Sequence, residues 1–137
     1  MPGGRTHAVI TLISAPLSAA AALGAGADGA QTLVVLAGHL SALVVQPDLD
    51  MISTIRVPLV GQLWSAYWYP YRVAISHREA WSHAPIVGTL MRAGYLMPIW
   101  ALAWCSWPTL ADVYLLWMCG LVLPDILHAI ADAIFKN

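Results

Sequence analysis

Charge is scarce in this chain. Six lysines and arginines and seven aspartates and glutamates are spread over 137 residues, about a third of the charged share of a soluble domain. Hydrophobic residues make up 60% of the sequence, and the mean hydropathy is +0.71. A water-soluble globular domain is therefore excluded, and an integral membrane protein with the lipid bilayer as its partner remains. The few cations form no basic stripe, which sets nucleic-acid binding aside. Cysteine is limited to Cys105 and Cys119. Both lie in apolar runs without CxxC spacing, so neither a thiolate zinc site nor a disulfide framework is supported, and they read as small buried hydrophobes. The length suits one domain, residues 1–137, and not two.

The polar residues that are present come in islands. The densest is His77-Arg78-Glu79-Ala80-Trp81-Ser82-His83, with two of the five histidines in seven residues. Three others are His7, the pair Asp48 and Asp50, and the set Asp125, His128 and Asp132.

Long apolar runs separate them. Ala8 to Ala27 carries no charge and is long enough to cross ~30 Å of hydrocarbon as a helix. Pro16 lies mid-span, where neighbouring helices can satisfy the freed carbonyl. A basic start, an apolar middle and a small-residue end also match a secretory leader. Cleavage near Ala27 would discard His7, and the reading that retains the segment is the one that gives His7 a role. A second apolar helix runs back over Gln31 to Gln46. It holds His39, which is expected to be a satisfied intramembrane histidine rather than a ligand. Pro47 stops it. Met51 to Ser76 then carries Arg56, Arg72 and the aromatic run Trp64 to Tyr71, which predicts an interfacial belt and a short surface helix. Ser82 as N-cap and Pro85 in the first turn open a third span reaching about Trp107. Arg92, near its start, is expected to snorkel to the surface, and Trp100, Trp104 and Trp107 to mark the opposite interface. Val113 to Phe135, with Pro124 inside, is the fourth. The fold class is all-α: an integral membrane bundle of about four helices with a cytoplasmic interfacial loop or short helix.

Four crossings return every polar island to one face of the membrane. Arg5, Arg56, Arg72, Arg78, Arg92 and Lys136 fall on that side, whereas the opposite turns hold Asp28 and Asp112 and no cation. By the positive-inside rule this face, with both termini, is the cytoplasmic side of the inner membrane.

Asp125, His128 and Asp132 are spaced i, i+3, i+7 and share one helix face. Bundles that bind metals project carboxylates and histidines inward in this way. Asp48 and Asp50 add oxygen donors, and His7, His77 and His83 add imidazoles. A mixed His/Asp set suits a divalent ion, zinc first, with manganese or iron as alternatives. The candidates outnumber one tetrahedral shell, so they hold two ions, or one ion whose ligands the remainder orient. Singly, each residue has a plainer role: Asp125 pairing with Arg78, Asp50 with Arg72, Pro47 to Asp50 forming a turn. Convergence at one depth favours metal.

Taken together, Gly4-Arg5-Thr6-His7, Pro47-Asp48-Leu49-Asp50, His77 to His83 and the helical pair His128 and Asp132 resemble the pattern of small uncharacterised metal-binding membrane proteins of bacteria, cyanobacteria among them. More distantly, the chain is similar to the inner-membrane metal-dependent hydrolases of the YdjM-like group. The likeness covers nearly the whole chain. It departs at Glu79-Ala80-Trp81, where the distant group has a glycine-rich middle, which leaves open whether His83 binds metal or orients a ligand. The resemblance implies metal binding and hydrolysis, and supplies no substrate.

The expected function is a membrane-bound, metal-dependent hydrolase acting on a phosphoester or lipid headgroup. Arg78 would stabilise developing negative charge and Glu79 would act as general base. The alternatives are a non-catalytic metal binder (sensor, carrier or structural site) and a membrane protein without metal. Small residues in the first helix permit close packing without saying between which chains. A reporter fused after Asn137 is expected to be active in the cytoplasm and silent outside the inner membrane; the reverse pattern would invert the topology.

Overall fold

Proline, glycine and one capping aspartate divide the apolar runs into helices. The computed structural model describes residues 4–45, 58–75, 84–105 and 110–134, and no strand occurs among them. The helices are α1 (Gly4–Gly24), α2 (Gly29–Ser41), α3 (Pro58–Tyr67), α4 (Tyr69–Ala74), α5 (Pro85–Trp104) and α6 (Leu110–Ile134).

Helix α1 begins before Ala8 and stops short of Ala27, because the turn that follows belongs to α2. Gly26 takes a φ of 89°, which a residue with a Cβ rarely adopts. Asp28 then builds a capping box: its Oδ1 accepts from Gln31 N at 2.8 Å, and Gln31 Oε1 accepts from Asp28 N at 3.0 Å. Helix α2 has 13 residues, only ~20 Å of rise, although a tightened turn carries the ladder on to Val45. Helix α5 is capped by Ala84 rather than Ser82, with Pro85 in its first turn as expected; Ser82 itself lies outside the described residues. Pro16, Pro98 and Pro124 sit inside α1, α5 and α6 without ending them.

Three of the described helices are long and apolar enough to cross a membrane: Thr6–Gly24, Pro85–Trp104 and Leu110–Ile134. Their outer faces agree. Leu12, Ile13 and Leu17 on α1, Ile86 and Leu102 on α5, and Leu115 and Ile134 on α6 are all exposed. The buried set contains His7, Thr11, Ser18, His39, Thr89, Arg92, Asp125 and His128. Buried polar groups behind apolar outer faces are compatible with a lipid surrounding.

The tightest crossing is between α2 and α6. A Cβ at Gly38 would overlap the Trp117 carbonyl, and one at Gly120 would overlap the Val35 carbonyl and lie 2.8 Å from His39 N. The two backbones therefore touch, as small residues allow where apolar lipid gives helices little reason to associate.

Three readings need correcting. The aromatic run is not a belt of surface rings: Trp68 and Tyr71 are buried in the core with Tyr95 packed against both, and Tyr69 alone of these points out. Tyr67 Oη donates to Tyr95 O and Tyr95 Oη donates to Tyr67 O, each at 2.6 Å, locking α3 to α5. Burial, and secondarily the Tyr95 phenol, pushes the Tyr67 hydroxyl above its usual pKa and keeps it a donor. Cys105 and Cys119 are free and exposed, not buried. Arg92 does not snorkel; it is enclosed, for a reason given below.

Gly120→Ala is expected to cost about 1–3 kcal/mol through overpacking. Gly94→Ala, with open space around its Cβ, is expected to be neutral or stabilising. Thermal unfolding of both variants in detergent, read by circular dichroism, checks the contrast.

Candidate metal centre

The centre is built where the start of α1 meets the end of α6. On α1, His7, Thr11, Ser14 and Ser18 recur at helical spacing and form one polar stripe; His7, Thr11 and Ser18 are buried and Ser14 is half-buried. On α6 the buried face runs Trp117, Leu121, Asp125, His128, so the i, i+3, i+7 set does face inward. Asp132 continues this face and remains 21% exposed at its side chain.

His7 Nε2 lies 3.4 Å from Asp132 Oδ1, and His128 Nε2 lies 3.4 Å from Asp132 Oδ2. One donor atom from each of His7, His128 and Asp132 falls within 4.8 Å of the others. Donors on a tetrahedral zinc ion with bonds of ~2.0–2.1 Å stand ~3.4 Å apart. The spacing therefore fits an ion with modest adjustment. That adjustment can be named: the two imidazoles stack with centroids 3.7 Å apart and planes 15° from parallel, so a shared ion requires the rings to fan open.

A cavity of about 10 Å³, lined by His7, Thr11, Asp125 and His128 among others, lies against the cluster. It has room for one water molecule or one bare ion. Asp125 explains Arg92. Its Oδ2 accepts from Thr89 Oγ1 on α5 and from Arg92 Nη2, an ion pair in which both side chains are 1% exposed. The other oxygen, Oδ1, is buried and has no hydrogen-bond partner among the described residues. A carboxylate fixed through one oxygen, in the wall of this cavity, is suitably held to offer the second to a cation.

The structure thus brings together His7, His128 and Asp132, with Asp125 beside them. His39 is not in the group; it bonds α1 instead, as expected of an intramembrane histidine. Asp48, Asp50, His77, Arg78, Glu79 and His83 lie outside the described residues, and with them the pairings of Asp125 with Arg78 and Asp50 with Arg72. Arg72 donates to Ser65 O at 2.6 Å and Ser65 Oγ at 2.8 Å. Sequence reading missed Thr89 and Arg92 as the partners of Asp125. The available signal was an arginine one turn after a threonine inside an apolar span, which needs an internal carboxylate.

Among the described residues the fold is all-α, with a His/Asp donor cluster that could hold a metal ion between the first and last described helices. The chain belongs to the family of uncharacterised metal-binding proteins (DUF2227), whose model matches residues 2–115. That span includes His7, Asp48, Asp50, His77 and His83 and ends before Asp125, His128 and Asp132. No curated protein and no solved structure matches the chain.

Arg92→Met strips Asp125 of its buried counter-charge and is expected to destabilise the fold by about 3–5 kcal/mol. The double variant Arg92→Met with Asp125→Leu is expected to recover most of that loss, measured by denaturant unfolding in micelles.

Proposed function

We propose that the chain is a membrane-embedded metal-binding protein. Its divalent ion, zinc first, is held by His7, His128 and Asp132, with Asp125 Oδ1 as the fourth donor. The observation that carries this reading is the meeting of three donors, from opposite ends of the described chain, at spacings close to those of a tetrahedral ion. Asp48, Asp50, His77 and His83 are the remaining ligand candidates, for completing the shell or for a second ion. The helices cross the membrane four times, α2 and its following turn forming the shortest crossing, with α3 and α4 along the interface. In this reading the centre's end faces the cytoplasm, supported by the positive-inside rule applied to the cations of the sequence and to Asp28 and Asp112 at the opposite end.

Metal-dependent hydrolysis is the activity we assign to the centre, on a phosphoester or lipid headgroup, as in the YdjM-like group that the motifs resemble. A bound ion supplies Lewis acidity there. Histidine and carboxylate ligands without thiolate are the usual catalytic donor set for zinc. Asp132 is partly exposed, with its side chain at 21%, which is compatible with an open side at the centre. Arg78 takes the role of anion stabiliser and Glu79 that of general base. A second reading, a closed carrier or structural site, is favoured by one observation: the cavity beside the cluster is the size of a single water, too small for a substrate.

Protein purified without chelator is expected to carry about one divalent ion per chain or more, and His128→Ala to lose most of it, by elemental analysis. Less than a tenth of an ion per chain would overturn the metal centre. Phosphoesterase or esterase turnover that disappears in His128→Ala supports hydrolysis; metal-loaded protein without turnover favours the closed site.

A further inference from the structure

The contact that joins α1 to α2 contains a fully buried imidazole with every ring nitrogen in use. His39 Nε2 lies 2.8 Å from Thr11 O. A carbonyl only accepts, so Nε2 carries the proton. Ser14 Oγ, 3.2 Å from the same nitrogen, donates its own proton to Ile10 O and is free to accept from His39. Ser18 Oγ lies 2.6 Å from Nδ1. Both ring nitrogens are therefore engaged by α1.

Its three partners are the lower part of the α1 stripe whose first member is His7. Thr11 follows His7 by one turn, and Ser14 and Ser18 continue along the same face. Fixing those residues fixes both the depth and the rotation of α1. On its other side, the His39 backbone packs against Gly120 of α6, within three turns of His128. Helix α2 is thus a strut: the glycine crossing seats it on α6, and His39 draws α1 onto it.

Resting on the metal centre proposed above, we infer that His39 is a positioning residue, which delivers His7 to the ion by holding the Thr11–Ser14–Ser18 face of α1. Neither nitrogen is available to the ion while these bonds stand, so His39 acts through His7 and not as a ligand. Interhelical hydrogen bonds of this kind contribute substantially where apolar packing alone does not discriminate one helix rotation from another.

A double-variant cycle on the full-length protein, titrated with Co²⁺ in detergent, tests this. His39→Leu is expected to weaken binding by about 10–100-fold, the range for residues that orient a ligand. Its visible Co²⁺ spectrum is expected to match that of His7→Ala, each lacking the same nitrogen donor. Adding His39→Leu to His7→Ala is expected to change affinity less than twofold, because the ligand being positioned is already gone. His39→Gln, able to donate to Thr11 O and accept from Ser18, is expected to recover most of the affinity. Where His39→Leu fails to fold by circular dichroism, Ser18→Ala replaces it in the cycle, with the same pattern expected at smaller amplitude. Equal losses from His39→Leu, or from Ser18→Ala in its place, with and without His7 would overturn the positioning role alone. Wild-type protein that binds no Co²⁺ would overturn the metal centre and, with it, this role.

Discussion

A polar group buried inside a helical bundle must find its partner within the protein, since an apolar surrounding offers none. That constraint organises the molecule. Leucine, isoleucine and valine dominate its exposed surface, and among its buried residues imidazole, hydroxyl, carboxylate and guanidinium groups lie beside a hydrophobic core. Each of these settles an approach between two helices: Asp125 with Thr89 and Arg92 joins α6 to α5, His39 with Ser14 and Ser18 joins α2 to α1, and His7 with Asp132 joins α1 to α6. The sites differ in what they leave over. Around His39 both ring nitrogens are engaged, whereas Asp125, which lines a small cavity with His7 and His128, keeps one buried oxygen without a hydrogen bond among the described residues. A saturated cluster is a fastener, whereas the group of His7, His128 and Asp132 could hold a cation.

The helices serve this arrangement unequally. Helix α6 contributes two of the three clustered donors and the glycine against which α2 rests. Helix α5 contributes no clustered donor among the described residues; it supplies the counter-charge and hydroxyl that hold Asp125. The aromatic group of Tyr67, Trp68, Tyr71 and Tyr95 anchors the short helices to α5.

Much of this was legible in the sequence. Long apolar helices could be read from uninterrupted apolar runs, and three described helices are long and apolar enough to cross a membrane. The inward face of α6 followed from the spacing of Asp125, His128 and Asp132, and the meeting of His7 with that face followed from counting crossings. Boundaries were less legible: Asp28 and Gly26 moved the α1–α2 turn, and capping chemistry acts over single residues. Arg92 was misplaced because a long cationic side chain near a helix end reaches either the surface or a carboxylate, and only the packing of α5 on α6 decides. Trp68 and Tyr71 were misplaced because amphipathic rings suit an interface and a buried core about equally.

The donor cluster spans the described chain almost from its beginning to its end. His7 emerges from the ribosome long before His128 and Asp132, so no nascent intermediate lacking α6 can assemble the group. Until the last helix is made, His7 has neither of these companions, so the group His7, His128 and Asp132 can close only once the chain is nearly complete.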